Sequence, residues 1–484
     1  MSAGSLRRLA WQVLVYGSGR LGLQLFSLIT LPVLTRVFTP AEYGIVETVT
    51  TLAALVAIIA TLALNSAVQR SYFDYTDEDG RQRRTVVSTG LWASLAWSSL
   101  LCLSLATAAK PLSNLLFGTS DYWDLIALAL AAIPLVLATT YFQDVLRLLQ
   151  QPARYVLISF LLTGLTVAFV LWLVLVRDMG IEAIFLGALL AAPLPLVVAW
   201  WFVRGKLGFA FSIPELRVML AYALPLLPVA AATWVMQFAD RFFVLHYTST
   251  TEVGLYGVGV RLSNVLMFAV IAFGVAWAPF ILDLHSRDAA VERVVRARAF
   301  AAVGIGLGFG AVCLGVWSRE FFRTITDPSF EDAYKVVGLL LGSVVALGLN
   351  GVTMTGISIT RQTKYFAYYA GYTSVLNIGL NFLLIPPFGM VGAAAATFAT
   401  YAVLAWLYYA RAQSLDAAPF DLRSVLGALA LAAVLIAAGS SFSLDSIVLS
   451  TLAKLPLVLV YPVVVWKLGW FRLSGPLFRL PARA

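Results

Sequence analysis

Residues 365–410 read YFAYYAGYTSVLNIGLNFLLIPPFGMVGAAAATFATYAVLAWLYYA, without one Asp, Glu, Lys or Arg. The stretch divides at Pro386-Pro387-Phe388-Gly389 into two apolar runs, 365–386 and 389–410. A helix needs about 20 apolar residues to cross the roughly 30 Å of bilayer hydrocarbon. Each run meets that length, so the stretch reads as two consecutive membrane-spanning helices.

The same reading extends outward over the whole chain. Of its 484 residues 61% are hydrophobic and only 12% charged, with a mean hydropathy of +0.89, far from the soluble globular range. Fourteen spans are expected, at 10–37, 46–69, 85–109, 122–146, 155–176, 180–203, 218–245, 258–283, 297–318, 333–359, 365–386, 389–410, 423–440 and 446–466. The fold class expected is an all-α integral membrane protein. Arg7 and Arg8 precede the first span, which has no clear small-residue cleavage site and so reads as a retained helix.

Charge placement gives the orientation. Of the 33 Lys and Arg residues, 23 fall at the termini and on one set of loops, and six (Arg36, Lys110, Arg177, Arg319, Arg323 and Lys335) on the opposite set. Positive residues concentrate on the cytoplasmic side of short loops, which places both termini in the cytoplasm. The net charge of +9 is thereby explained by topology, with no nucleic-acid partner. Connections such as Arg70–Thr85 leave no room for a soluble catalytic domain, so the chain is not expected to be an enzyme. Cys102 and Cys313 fall inside spans, and His246 and His285 are too sparse for a metal centre. No metal and no cofactor is expected.

Landmarks repeat at a nearly constant offset. Thr39-Pro-Ala-Glu-Tyr43-Gly44 is echoed by Thr251-Glu-Val-Gly-Leu-Tyr256-Gly257, with the Tyr-Gly pairs 213 residues apart. Arg154-Tyr155 and Lys364-Tyr365 lie 210 apart, and Gly180 and Gly389, each opening a span, lie 209 apart. Evenly spaced helices could produce one such coincidence, but loop side and span order match as well. The expected organisation is a six-helix bundle over 1–210, a second over 211–415 related to it by a pseudo-twofold axis, and two further helices with a tail over 416–484. A cleft between two such bundles is the arrangement of several transporters.

The intramembrane charges mark the candidate site, because charge inside a bilayer is costly and usually faces a cavity. Arg20 lies about ten residues into the first span, roughly 15 Å along its axis, with Gln24 one turn on. In the seventh span Gln237, Asp240 and Arg241 share a helix face at i, i+3 and i+4. Either Asp240 neutralises an arginine to hold helices together, or the arginines line the cleft and bind an anion, since guanidinium meets phosphate oxygens bidentately. Arg261, one turn into the eighth span, adds to the positive surplus. Glu47 and Arg261 hold nearly matching places after Tyr43 and Tyr256 and form a candidate gate pair at the outer mouth. Lys454, in the last span, either snorkels or pairs locally.

Asn377-x3-Asn381, Leu384-Ile385-Pro386 and Gly389-x2-Gly392-Ala393-Ala394 resemble the signature of bacterial polysaccharide flippases, the O-antigen and exopolysaccharide exporters of the multidrug/oligosaccharidyl-lipid/polysaccharide superfamily. Thr39-Pro-Ala-Glu42-Tyr43-Gly44, the Asp240-Arg241 pair with Val253-Gly254-Leu-Tyr256, and the fourteen-span layout are similar to the same family. Physically, Gly392-Ala393-Ala394 allows close helix approach, and Asn377 and Asn381 read better as helix-to-helix bonds than as a binding site. The resemblance implies translocation of an undecaprenyl-diphosphate-linked oligosaccharide from the inner to the outer leaflet of the bacterial inner membrane, with membrane lipids and the polysaccharide polymerase machinery as partners. A lipid II flippase and a multidrug exporter of the same superfamily are neighbouring readings, although drug export favours unpaired acids. An O-antigen polymerase or ligase, an enzyme on the same substrate, resembles its kin in a large periplasmic loop that this chain lacks.

Overall fold

The computed structural model describes residues 30–75 and 80–470. The chain is all-α, and no strand occurs among the described residues. Twelve helical segments among them are long and apolar enough to cross a membrane. The expected first span, 10–37, lies mostly outside the described residues, with only 30–37 seen as helix.

The opening stretch folds as a single helical run, Lys364–Leu415, whose 52 residues take non-helical angles at Gly389 (φ 54°, ψ −134°). Straight, such a helix would reach about 78 Å at 1.5 Å per residue, more than twice the hydrocarbon thickness. It folds back instead. A Cβ added at Gly392 would lie 2.0 Å from Leu384 O, so the second limb passes the end of the first at backbone contact. The twelve segments therefore contain both expected spans of this stretch within one run.

Local chemistry sets many of the ends. Thr39 and Glu42 form a reciprocal capping box at the start of helix Pro40–Thr61, with Pro40 in its first position. Asp288, Asp421 and Ser446 cap Ala289–Val316, Leu422–Ser441 and Ile447–Lys467. The seventh span is interrupted: Ile213–Ala223, a 3-10 turn at Leu224–Leu226, Leu227–Phe238 and Asp240–Tyr247 follow one another, with Pro225 and Pro228 at the junctions where a missing N–H costs least. The second span breaks differently. Between Pro40–Thr61 and Leu64–Asp74, Leu62 and Ala63 both adopt left-handed angles (φ 48° and 51°), at about 1–2 kcal/mol for each non-glycine residue.

The chain divides into two compact units, up to Gly254 and from Leu255 onward. In the first, one core gathers around Tyr141, Phe142, Val86 and Met219, and a second around Val49, Ile126, Leu130 and Cys102. The helix Ile213–Ala223 packs on Leu64–Asp74 and Arg81–Thr107 within this unit. In the second unit the last two helices pack on Ala289–Val316: Tyr461 donates to Ile305 O at 2.9 Å, and Gly304 and Gly308 face Val425 and Tyr461. Lys454 is fully buried and pairs with Glu320 at 2.6 Å, so of the two expected behaviours it takes local pairing.

Candidate functional site

Three of the residues singled out from sequence come together in the first unit. Asp240 and Arg241 are 2% and 4% exposed. Arg241 Nη1 donates to Asp240 Oδ1 at 3.0 Å and to Gln237 O at 2.8 Å. Glu47 Oε2 stands 3.9 Å from Arg241 Nε, and the guanidinium carbon lies 5.2 Å from the centre of the Phe238 ring. Gln237 lends its backbone carbonyl, while its side chain is exposed. Arg20 and Gln24 lie outside the described residues. Arg261 is partly buried in helix Thr250–Arg287 and falls in the second unit.

This arrangement alters the charge balance inferred from sequence. Arg241 sits between two carboxylates, one bonded and one at the edge of ion-pair distance. A guanidinium so placed can turn toward an incoming phosphate only by giving up part of an existing pairing. The looser partner, Glu47, is the easier to release, because attraction falls with distance and the contact lacks hydrogen-bond geometry.

Beside the charges, two helix starts touch. A Cβ at Gly44 would lie 1.8 Å from Thr250 O, and one at Gly254 would lie 2.0 Å from Pro40 O. Gly44 and Gly254 therefore bring the starts of helices Pro40–Thr61 and Thr250–Arg287 together backbone to backbone, which only glycine permits. The repeated copy of Tyr43-Gly44 in sequence is Tyr256-Gly257, and nothing in that repetition indicates that Gly44 meets Thr250 and Gly254.

Other buried polar groups serve packing. Asn381 Nδ2 donates to Asn377 Oδ1 at 3.1 Å, and Asn377 Nδ2 to Thr400 Oγ1 at 3.2 Å, tying the two limbs of Lys364–Leu415. Arg296, counted from sequence among the loop bases, is fully buried and pairs with Glu292 at 3.1 Å and Asp416 at 2.5 Å. Burial pushes the Asp416 carboxyl up, but Arg293 and Arg296 outweigh it and hold it below its ordinary value. Glu320 likewise ends below its ordinary value, because Lys454 and Ser450 outweigh its burial. Asn350, 1% exposed, has neither amide atom bonded among the described residues. The second unit also holds an apolar cavity of about 640 Å³, lined among others by Phe300, Leu349, Phe398, Trp406, Leu426 and Ile436; none of the residues predicted as a site lines it.

Comparison with known proteins gives the fold and the family. The lipid II flippase MurJ in an inward closed conformation shares the fold, with a TM-score of 0.73 at 14% identity over 94% of this chain and 99% of that one. An inward-facing MATE multidrug transporter of the MOP superfamily aligns with a TM-score of 0.64 at 13% identity, over 82% of this chain and 97% of that one. In sequence, the chain is 25% identical to the lipid III flippase of Escherichia coli (strain K12) over 387 residues, 76% of this chain and 89% of that protein. It is 23% identical to the succinoglycan biosynthesis transport protein ExoT of Rhizobium meliloti (strain 1021) over 341 residues, 69% of this chain; the match spans 65% of that relative's length. The model of the polysaccharide biosynthesis protein family matches residues 9–285, more than half of the chain, and to that family the chain belongs.

Proposed function

We propose that the chain is a flippase carrying an undecaprenyl-diphosphate-linked oligosaccharide from the inner to the outer leaflet of the bacterial cytoplasmic membrane, for O-antigen, capsule or exopolysaccharide assembly. The observation that carries this reading is the buried Arg241, held by Asp240 and loosely by Glu47 inside an apolar bundle of a polysaccharide biosynthesis protein. The diphosphate exchanges for Glu47 on the guanidinium, and Arg20 and Arg261 supply further positive charge. The glycan travels in water while the polyprenyl tail stays in the hydrocarbon; the apolar cavity of the second unit supports a lipid-borne cargo.

Transport proceeds by alternating access, both termini being cytoplasmic, and the repeated halves 1–210 and 211–415 are the moving bundles. The Gly44–Gly254 contact is the seam that parts when the outer side opens, and Glu47 and Arg261 are the candidate gate residues. Only differential affinity of the two states for cargo shifts such an equilibrium. Binding and release, not catalysis, is the chemistry, and polymerase machinery receives the product.

The test is outer-leaflet appearance of a labelled lipid-diphosphate oligosaccharide in proteoliposomes. Arg241→Ala and Arg20→Ala are expected to lower the initial rate at least about tenfold, about 1.4 kcal/mol of lost stabilisation. Unchanged rates in both variants would remove the anion site.

A further inference from the structure

The break in the second span has a chemical neighbour that the proposed anion site does not use. Immediately after the left-handed pair Leu62-Ala63, Asn65 Nδ2 donates to Asp144 Oδ2 at 2.6 Å. Arg147 pairs with the other carboxylate oxygen at 2.8 Å, and the Asp144 side chain is 15% exposed. These two groups, from helix Leu64–Asp74 and from Asp144's own helix Trp123–Leu148, are the bonded and charged partners of Asp144 among the described residues. Tyr141, one turn before it, directs its hydroxyl to Val87 O.

The break itself is held by side chains. Trp97 Nε1 donates to Ile59 O at 3.1 Å, Thr61 Oγ1 donates to Ile58 O at 2.8 Å, and the amide of Ala63 donates to Thr61 Oγ1 at 3.3 Å. Beside it lies a cavity of about 10 Å³, close to the space of one water, lined by Thr61, Asn65, Ser94, Ser98 and Tyr141 among others. Ser94 Oγ is buried there with no protein partner. Interrupted helices with freed backbone groups at membrane depth are where transporters bind coupling ions.

We propose that Asp144, bonded to Asn65 just after this break, is a proton-binding site whose occupancy decides how firmly helix Leu64–Asp74 is tied to Trp123–Leu148, so that the first unit carries a coupling proton. The proton comes from water and adds to a carboxylate oxygen; the charge of Asp144 goes from −1 to zero. The neutral carboxyl no longer holds Arg147, whose side chain, 45% exposed, turns to solvent. The bond to Asn65 loses its charge assistance, and helix Leu64–Asp74, which follows the left-handed pair, is held less firmly to Trp123–Leu148. The coupling role rests on the flippase reading; the proton site does not.

Hydrogen–deuterium exchange of the full-length protein in lipid nanodiscs, read on peptides covering 58–70 and corrected for intrinsic rates, tests the site directly. In the natural chain exchange is expected to rise about tenfold as pH falls through the titration of Asp144, the factor that one pKa unit represents. Asp144→Asn should exchange fast at every pH. Arg147→Gln, which leaves Asp144 in place, should move the midpoint to higher pH, because removing the cation disfavours the carboxylate. Exchange that is independent of pH in the natural chain, or an unmoved midpoint in Arg147→Gln, would overturn the proposal. So would flipping in proteoliposomes that is accelerated equally by a proton gradient in the natural chain and in Asp144→Asn. Should the exchange results hold while no chain flips cargo, the flippase reading falls and the proton site stands.

Discussion

Arg241 in the first unit and Arg296 in the second are both buried arginines flanked by two carboxylates, yet they are built for different ends. Arg296 meets Glu292 at 3.1 Å and Asp416 at 2.5 Å and is fully buried. Arg241 meets Asp240 at 3.0 Å but Glu47 only at 3.9 Å, in a helix interrupted on either side. A triad with short contacts on both sides fixes helix ends to a connecting loop. The slack arm at Arg241 is the one that the proposed exchange for a diphosphate uses.

The largest expected difference is in stability. Arg296→Met takes the buried Glu292 from its arginine and leaves Asp416 to Arg293 alone, and should lower unfolding free energy by about 3–5 kcal/mol, read as a loss of thermal stability in detergent. Arg241→Met should cost clearly less, because Glu47 retains partial exposure; an equal loss would break the comparison. Next is Gly356→Ala, whose added Cβ would lie 2.4 Å from Arg296 Nη1. Crowding of this kind costs about 1–3 kcal/mol, and thermal denaturation measures it. Below that comes pH: the depressed carboxyl of Asp416 contributes stability above its ordinary value of 3.8 that is lost as pH falls past it. Melting between pH 5 and 3 should show the loss, and Asp416→Asn should flatten it. Smallest is Asn350→Leu, expected to stabilise by about 1 kcal/mol, since an unbonded buried amide costs its desolvation without return; a melting-temperature rise in the same assay checks it.

The spans were legible because apolar length alone dictates them, and Lys364–Leu415 shows why even its fold-back could be read: Pro386 and Pro387 weaken the helix end and Gly389 takes the left-handed φ that turns the chain. Asp240-Arg241 stood out because a charge pair among apolar residues has few structural explanations. Arg296 was read as a loop base because it follows Asp288 and Arg293 in a polar helix start, and sequence does not reveal that Asp416, 120 residues on, closes over it. Leu62 and Ala63 are ordinary helix formers, so the break there carries no local signal; it is imposed by packing and by partners such as Trp97. The contact of Gly44 with Thr250 is likewise tertiary, and the repeated Tyr-Gly motif nearby does not reveal it.

The turn at Gly389 also bears on how the chain is made. With Gly392 against Leu384 O, the two limbs share no hydrophilic connection that could wait in water while the second is synthesised. The pair is therefore expected to enter the bilayer as one hairpin. With only Pro386-Pro387-Phe388 joining the limbs, an epitope inserted there is expected to disturb both of them.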